Sequence, residues 1–408
     1  MVGDKLKSIE TELVGNNKDI EDQLVTTGFA PTPDPYDLWA TPFGLYVKEN
    51  YYKRKILGKT GAIFIGLLDW LVPVLSRYVF KTTQLIYPIS LSHEVLRYTL
   101  QKSISTEYGN FLLGTIRNIA TDNTANKYFA WGLGFPWMSK NGLYGPRIPF
   151  ITHTPYVMEV LLKIAKLPRL HEQAKEMFDG TWPFLQSLKI MHETHDTIAL
   201  SYAPIVEPRI VINANSYAAL AYTLHIKHGR DEIKNLAAER VTKLINWIVT
   251  QQHDDGSWDY YADKFEGNFI DCFHSCFVVK NLLKIQKSIP ESSELMNQVV
   301  EKGWSFIRNE LYDEQHGLCR RFFKRAQKDP FRWDLYDQAE YLGLLVDFGL
   351  LNTAKQFVDH VESVFRKQDD WFCRIDVLGR PWGKNFFRWG IVPFLYHKSR
   401  LAKDIGDY

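Results

Sequence analysis

The sequence predicts an all-α fold in which helical hairpins circle a central cleft, an (α/α) toroid behind an extended N-terminal arm. Three observations predict it. Apolar-periodic segments of helix length recur from about residue 60 onward, separated by loops rich in Gly, Pro, Asp and Asn. The helices that start near 214, 271, 336 and 387 lie about 50 to 65 residues apart, and a second helix follows each of the first three. That is the spacing of stacked helix pairs, which bury their apolar faces only against neighbours. Strand signals are sparse, with residues 198–206 the best short run.

Residues 1–55 read as the arm, because Pro31, Pro33 and Pro35 prevent helix and favour extended chain. Residues 56–408 read as one toroid domain, with the clearest helices near 155–167, 214–228, 234–252, 271–287, 294–310, 336–349, 352–367 and 387–402. Residues 61–75 are strongly apolar but too short to span a bilayer and interrupted by Asp69 and Pro73. They read as a buried helix or a peripheral membrane contact. If the array closes, the inner helices point their N-termini and preceding loops at one face, where polar and aromatic residues gather.

Composition narrows the partners. The 49 basic and 47 acidic residues include no long run of one sign, which argues against nucleic acid. The 12 Trp, 21 Tyr and 25 Phe exceed what a core of this size needs, so some line a cleft. Four cysteines without paired spacing and no signal-like start fit a reducing cytoplasm, with membrane association through 61–75 as the variation. No metal site or cofactor is expected, since Cys272, His274 and Cys276 on one helix make poor ligand geometry.

Several segments have the residue types that chemistry needs. In residues 269–285, Asp271 is placed as a helix N-cap and His274 in the first turn, where the helix dipole disfavours a charged imidazole and leaves a neutral base. In residues 251–260, Asp255-Gly256 supplies a turn that carries Trp258 and Tyr260 to the next helix. Trp258 either ties neighbouring hairpins together or lines the cleft. Asn213 and Asn215 at a helix start serve either as caps or as donors to a carboxylate or sugar hydroxyls. Trp137, His153 and Tyr156 belong to loops with the glycines and aromatics that stack on sugar rings. Asp334 caps the next inner helix, which also carries Tyr336, Asp337 and Gln338, while Arg388 and Trp389 offer a cation and a platform for an anionic substrate.

These segments resemble known families. Tyr202-Ala-Pro204, Asn213-Ala-Asn215, Asp255-Gly-Ser-Trp258, Asp271-Cys-Phe-His-Ser275 and Tyr336-Asp-Gln-Ala339, spread over residues 125–400, are similar to motifs of toroid proteins of polysaccharide and capsule biosynthesis. The chain departs from that pattern at Ala203, Cys272, Ser275 and the order Asp337-Gln338-Ala339. The stretch after Asp271 also resembles glucuronyl C5-epimerases, and the Asp-Gly-Ser-Trp signal resembles terpene cyclases, whose Asp-rich acid and metal motifs this chain lacks. The resemblance implies a toroid that handles a polysaccharide or oligosaccharide.

Three functions follow as alternatives. The first is a carbohydrate-active enzyme that epimerises or eliminates at the carbon next to a uronic acid carboxylate. It would use His274, Tyr202, Tyr260, Tyr336, Asp271 and Asp337 for proton transfer, and Asn213, Asn215 or Arg388 against the carboxylate. The second is a glycoside hydrolase with two of Asp255, Asp271, Asp334 and Asp337 paired across the cleft. The third is a non-catalytic glycan-binding or scaffold protein.

Overall fold

Two kinds of helix alternate along the chain. The computed structural model describes residues 37–82, 85–121, 128–264, 267–289, 293–323 and 331–406. In it, Ile212–His228 is buried at every position up to His225, and Cys272–Ser288 and Leu335–Asp347 are enclosed nearly as fully. Asp231–Thr250 instead buries only a stripe, Ile233, Ala237, Val241, Leu244, Ile245, Trp247 and Ile248, and Leu351–Phe365 is striped likewise. A helix apolar all round must be enclosed, whereas a striped one turns its polar side to water. The alternation therefore dictates an inner and an outer layer.

The first helices are α1 (Pro42–Tyr52), α2 (Ile56–Leu71), α3 (Pro73–Val79), α4 (Pro88–Gln101) and α5 (Thr106–Asn118). Next come α6 (Thr154–Ile164), α7 (His171–Asp179), α8 (Thr181–Ser187), α9 (Ile212–His228) and α10 (Asp231–Thr250). The chain continues with α11 (Cys272–Ser288), α12 (Ser293–Phe306), α13 (Leu335–Asp347), α14 (Leu351–Phe365) and α15 (Val392–Ile405). Helices α4, α6, α9, α11, α13 and α15 each pack on the next, and α15 closes back on α4. Helices α7, α10, α12 and α14 cover the outside, each against the inner helix before it. The expected (α/α) toroid is therefore present, closed by six inner helices among the described residues.

Short antiparallel pairs fill the connections: β1 (Trp137–Ser139) with β2 (Gly142–Tyr144), and β3 (Ile190–Glu193) with β4 (Ile198–Leu200). A sheet of β5 (Phe331–Asp334), β6 (Asp370–Asp376) and β7 (Pro381–Lys384) sets Asp334 opposite Arg374.

Buried amides pin strands and loops to the inner helices. Asn215 accepts from the Leu200 N–H at 2.7 Å and donates to Leu200 O and Val211 O at 3.2 and 3.0 Å. Gln338 occupies the equivalent fourth position of α13, accepting from Cys319 N–H at 2.7 Å and donating to Cys319 O and Asp334 O at 2.9 and 3.0 Å. Asn215 was expected either as a cap or as a substrate donor and Gln338 as a substrate contact, and both are spent on backbone groups that burial would otherwise orphan. Trp258 is corrected in the same way: its Nε1 donates to Ile248 O at 3.1 Å and its ring lies against Gly303, buried between neighbouring hairpins. The turn that delivers it requires Gly256, whose φ is +91° and whose Cβ, were there one, would stand 2.3 Å from Lys302 O.

The N-terminal reading changes most. Residues 37–52 are helical rather than extended, and α1 and α2 pack on each other around Leu38, Val47 and Ile65. A boundary at residue 55 therefore falls inside one helical unit. The prolines at 31, 33 and 35 lie outside the described residues.

Candidate active site

The residues just before and at the start of the inner helices meet at one end of the barrel. Asp271 precedes α11, and both its carboxylate oxygens accept from Nδ1 of His274 at 2.8 Å. The pair forms because Asp and His three apart share a helix face. With Nδ1 holding the proton, the lone pair sits on Nε2, and the carboxylate fixes both tautomer and ring orientation. His274 is 21% exposed, so this base is reached from the cleft. Asp271 therefore orients the imidazole and does not cap the helix through its side chain. That task falls to Asp337 of α13, whose Oδ1 accepts from Phe273 N–H at 3.0 Å.

Asp337 is fully buried, and burial holds its carboxyl well above the usual carboxylate range despite the Arg321 guanidinium 3.5 Å away. It lies behind the cleft wall rather than in the reacting surface expected for it. Asp334 is likewise committed, to Tyr336 N–H at 2.9 Å, Trp389 Nε1 at 3.0 Å and Arg374 Nε at 2.9 Å. Asp255 accepts from the backbone and hydroxyl of Ser257. Among the four aspartates considered for a hydrolase, Asp271, Asp334 and Asp337 are engaged by His274, Arg374 and a helix terminus, and Asp334 and Asp337 also share the Arg321 guanidinium at 3.5 Å each, with the charges of Asp334 and Asp271 both bearing on Asp337.

Around the dyad runs a ring of contacts. Tyr260 lies 4.6 Å from the His274 ring and stacks on Phe269 at 4.8 Å, and Phe273 touches His274 at 3.9 Å. Phe273 leads to Trp389 at 6.0 Å, which stacks on buried Tyr336 at 5.0 Å and lies 5.8 Å from the Arg388 guanidinium. Gly390 makes that stacking achievable: its φ is +96°, and a Cβ there would meet Tyr336 N at 2.7 Å. Arg388 faces Tyr87 at 4.5 Å, and Tyr87 Oη meets His153 Nε2 at 2.5 Å. Thr152 closes the circuit, touching His153 Nδ1 at 3.2 Å and donating to Tyr202 Oη at 3.0 Å.

Electrostatics sort these groups by role. Burial, with the nearby Arg388 charge, pulls His153 down to about 3, so it stays neutral and acts as a hydrogen-bonding wall residue. Burial pushes Tyr260 well above its ordinary value and Tyr202 upward too, so both phenols remain proton donors. Asn213 is buried at the start of α9, and its Oδ1 accepts no hydrogen bond from the described residues. Tyr156 sits deeper, bonded to Tyr217 Oη at 2.8 Å and Lys280 Nζ at 2.9 Å. It lines a separate cavity of about 650 Å³ toward the other end of the barrel, so it is not part of the cleft wall expected for it.

Sequence reasoning missed Tyr87, Thr152, Arg321 and Lys48. Thr152 adjoins the quoted His153, but nothing local marks the others. Lys48 of α1 places Nζ 3.2 Å over the Trp137 ring, and burial together with Arg388 draws its ammonium down to about 7. Its charge is present below that pH and lost above it. A ligand carboxylate in contact with that ammonium is therefore expected to be held about ten-fold more weakly as pH rises from 6 to 8, the scale of one charge-assisted contact. KM measured across that range checks this, and Lys48→Arg is expected to flatten the slope.

The ring of helices with a polar, aromatic cleft at one end defines an (α/α) toroid. Solved structures of that class share the fold. A cellobiose 2-epimerase from Bacillus thermoamylovorans superposes with a TM-score of 0.57 at 10% identity, covering 79% of this chain and 88% of its own. A family GH76 α-mannanase from Bacteroides thetaiotaomicron gives 0.54 at 11% identity, covering 92% and 100%. A polysaccharide lyase gives 0.53 at 12%, covering 83% and 96%. No protein-family model and no curated protein matches the sequence.

Proposed function

We propose that this chain is a carbohydrate-active enzyme that moves a proton at the carbon next to the carboxylate of a uronic acid residue, by epimerisation or elimination. The observation that carries the reading is the Asp271–His274 dyad, an imidazole oriented by a carboxylate and 21% exposed among aromatic rings, with Arg388 and Lys48 as cations beside Trp389 and Trp137. His274 Nε2 takes the proton, and the cations stabilise the charge that grows on the carboxylate as it leaves. Tyr260, kept protonated, returns a proton to the carbon for epimerisation or to the departing glycosidic oxygen for elimination. The inner-helix N-termini add their positive dipole ends to the same face. Neighbours in the fold comparison, among them a cellobiose 2-epimerase and a polysaccharide lyase, support a saccharide as the substrate.

The test is incubation with uronic acid polymers in deuterated water. New absorbance near 232 nm is expected from elimination, or deuterium at the sugar carbon without it from epimerisation. Silence on every polymer, together with exchange in a neutral reducing disaccharide, would move the chemistry from the carboxylate to a carbonyl and remove the uronic acid reading.

A further inference from the structure

Helix α2 is apolar on two sides. One side packs on α1: Ile65 is buried, Gly58 lies against the α1 backbone, and Gly61 lies against Val47. The other side has no such cover among the described residues. Ile56, Ile63, Phe64, Leu67 and Leu71 recur at helical spacing along it, and Ile56, Ile63 and Leu71 are 80%, 66% and 62% exposed. The surface continues past Pro73 through exposed Val72, Leu75, Tyr78 and Val79. In water, a helix apolar on two sides is normally enclosed, and among the described residues this one is enclosed on one side.

Charge identifies what covers the other side. Residues 50–82 contain six cations, Lys53, Arg54, Lys55, Lys59, Arg77 and Lys81, and one acid, Asp69. Asp69 is neutralised by Arg77 at 2.8 Å, and Glu49, just before this stretch, pairs with Lys53 at 2.5 Å, so the net positive charge of the turn between α1 and α2 comes from Arg54, Lys55 and Lys59. A second copy of the chain docked through this face would bring two such basic turns together, which like-charge repulsion opposes. An anionic lipid surface satisfies both features, apolar chains under the stripe and acidic headgroups beside the lysines. The geometry fits lying in such a surface rather than crossing it, because α2 and α3 are bent by 118° and no single helix among the described residues is long and apolar enough to span.

We propose that the outward face of α2 and α3 docks in the interface of a bilayer containing anionic lipid. The full chain is tested by flotation with vesicles of phosphatidylcholine and phosphatidylglycerol in a ratio of about 7 to 3, the anionic fraction that supplies a negative surface potential. Wild type is expected to float with them and to be released by high salt. Ile63→Asp with Leu67→Asp is expected to abolish flotation while leaving the melting temperature in place, since both side chains face outward. Lys55→Gln with Lys59→Gln is expected to weaken binding about five-fold per charge and to reduce its salt dependence. The proposal is overturned if wild type stays with the unbound fraction, or if the Ile63→Asp, Leu67→Asp chain floats as well as wild type. It is equally overturned if, without lipid, the chain is a dimer that the same double substitution splits, which assigns the face to a second copy.

Discussion

Replacing His274 by alanine is expected to lower kcat/KM on the responsive saccharide by roughly a hundred- to ten-thousand-fold, the range that a positioned general base supplies. The ring packs on Tyr260 and Phe273 and its Nδ1 is hydrogen-bonded to Asp271, which is 2% exposed, so the substitution also leaves a buried carboxylate without its partner and the apparent melting temperature falls as well, to be read separately from kcat/KM. Asp271→Asn separates orientation from charge. The amide still reaches Nδ1 but no longer favours the Nδ1–H tautomer, so activity falls while KM stays near wild type. The paired readings matter because Asp271 also lies beside the buried Asp337. If His274→Ala exchanges deuterium at the wild-type rate, the dyad is not the base and the site assignment fails.

The second large effect concerns stability. Lys280 of α11 and Glu340 of α13 meet at 2.7 Å with side chains 5% and 0% exposed, and Lys280 also donates to Tyr156 of α6 at 2.9 Å. Three inner helices are thereby tied through one buried charge pair. Glu340→Leu leaves an ammonium without its counter-charge, a loss of about 3–5 kcal/mol. That corresponds to a drop in apparent melting temperature on the order of 10 °C for a chain of this size. Adding Lys280→Met removes the stranded charge and should recover most of the loss, because two apolar groups in place of a buried pair are often neutral or better. Equal melting of Glu340→Leu and wild type would show that the pair contributes nothing to closure of the ring.

Much of the barrel was legible because burial writes itself into composition. Residues 217–222 and 276–279 are unbroken runs of apolar and aromatic residues within longer helical segments, and the expected limits near 214–228 and 271–287 fall within two residues of α9 and α11. Helix α4 was not among the clear ones. Ser92, His93 and Glu94 interrupt its pattern, yet all three are buried, Ser92 donating to Pro88 O at 2.8 Å and Glu94 bound by Arg97 at 2.9 Å. Such satisfaction is invisible before the neighbours are known. The N-terminal unit was obscured differently, since the proline-spaced run before it was extrapolated across Thr41, whose hydroxyl accepts from Gly44 N–H at 3.1 Å and starts α1.

The candidate site divided along the same line. Asp271 and His274 were legible because they are three residues apart on one helix, and their meeting requires no tertiary closure. Tyr87 and His153 are 66 residues apart, and Lys48 reaches Trp137 from a helix outside the ring, so neither encounter has a local signature. Asn215 and Gln338 were misread because an amide in the first turn looks the same whether it faces a strand or a cleft.

Lys48 also joins two parts of the molecule. The helices that bring it over Trp137 are fastened to the barrel rim by Trp70 stacked on Trp382 at 5.2 Å, Arg380 over Trp70 at 4.4 Å and Arg77 over Phe386 at 4.5 Å. The same three ring contacts that fasten α1 to α3 thus fix where the Lys48 charge stands, so a substitution at Trp70, far from His274 in sequence, is expected to move the pH dependence assigned to Lys48.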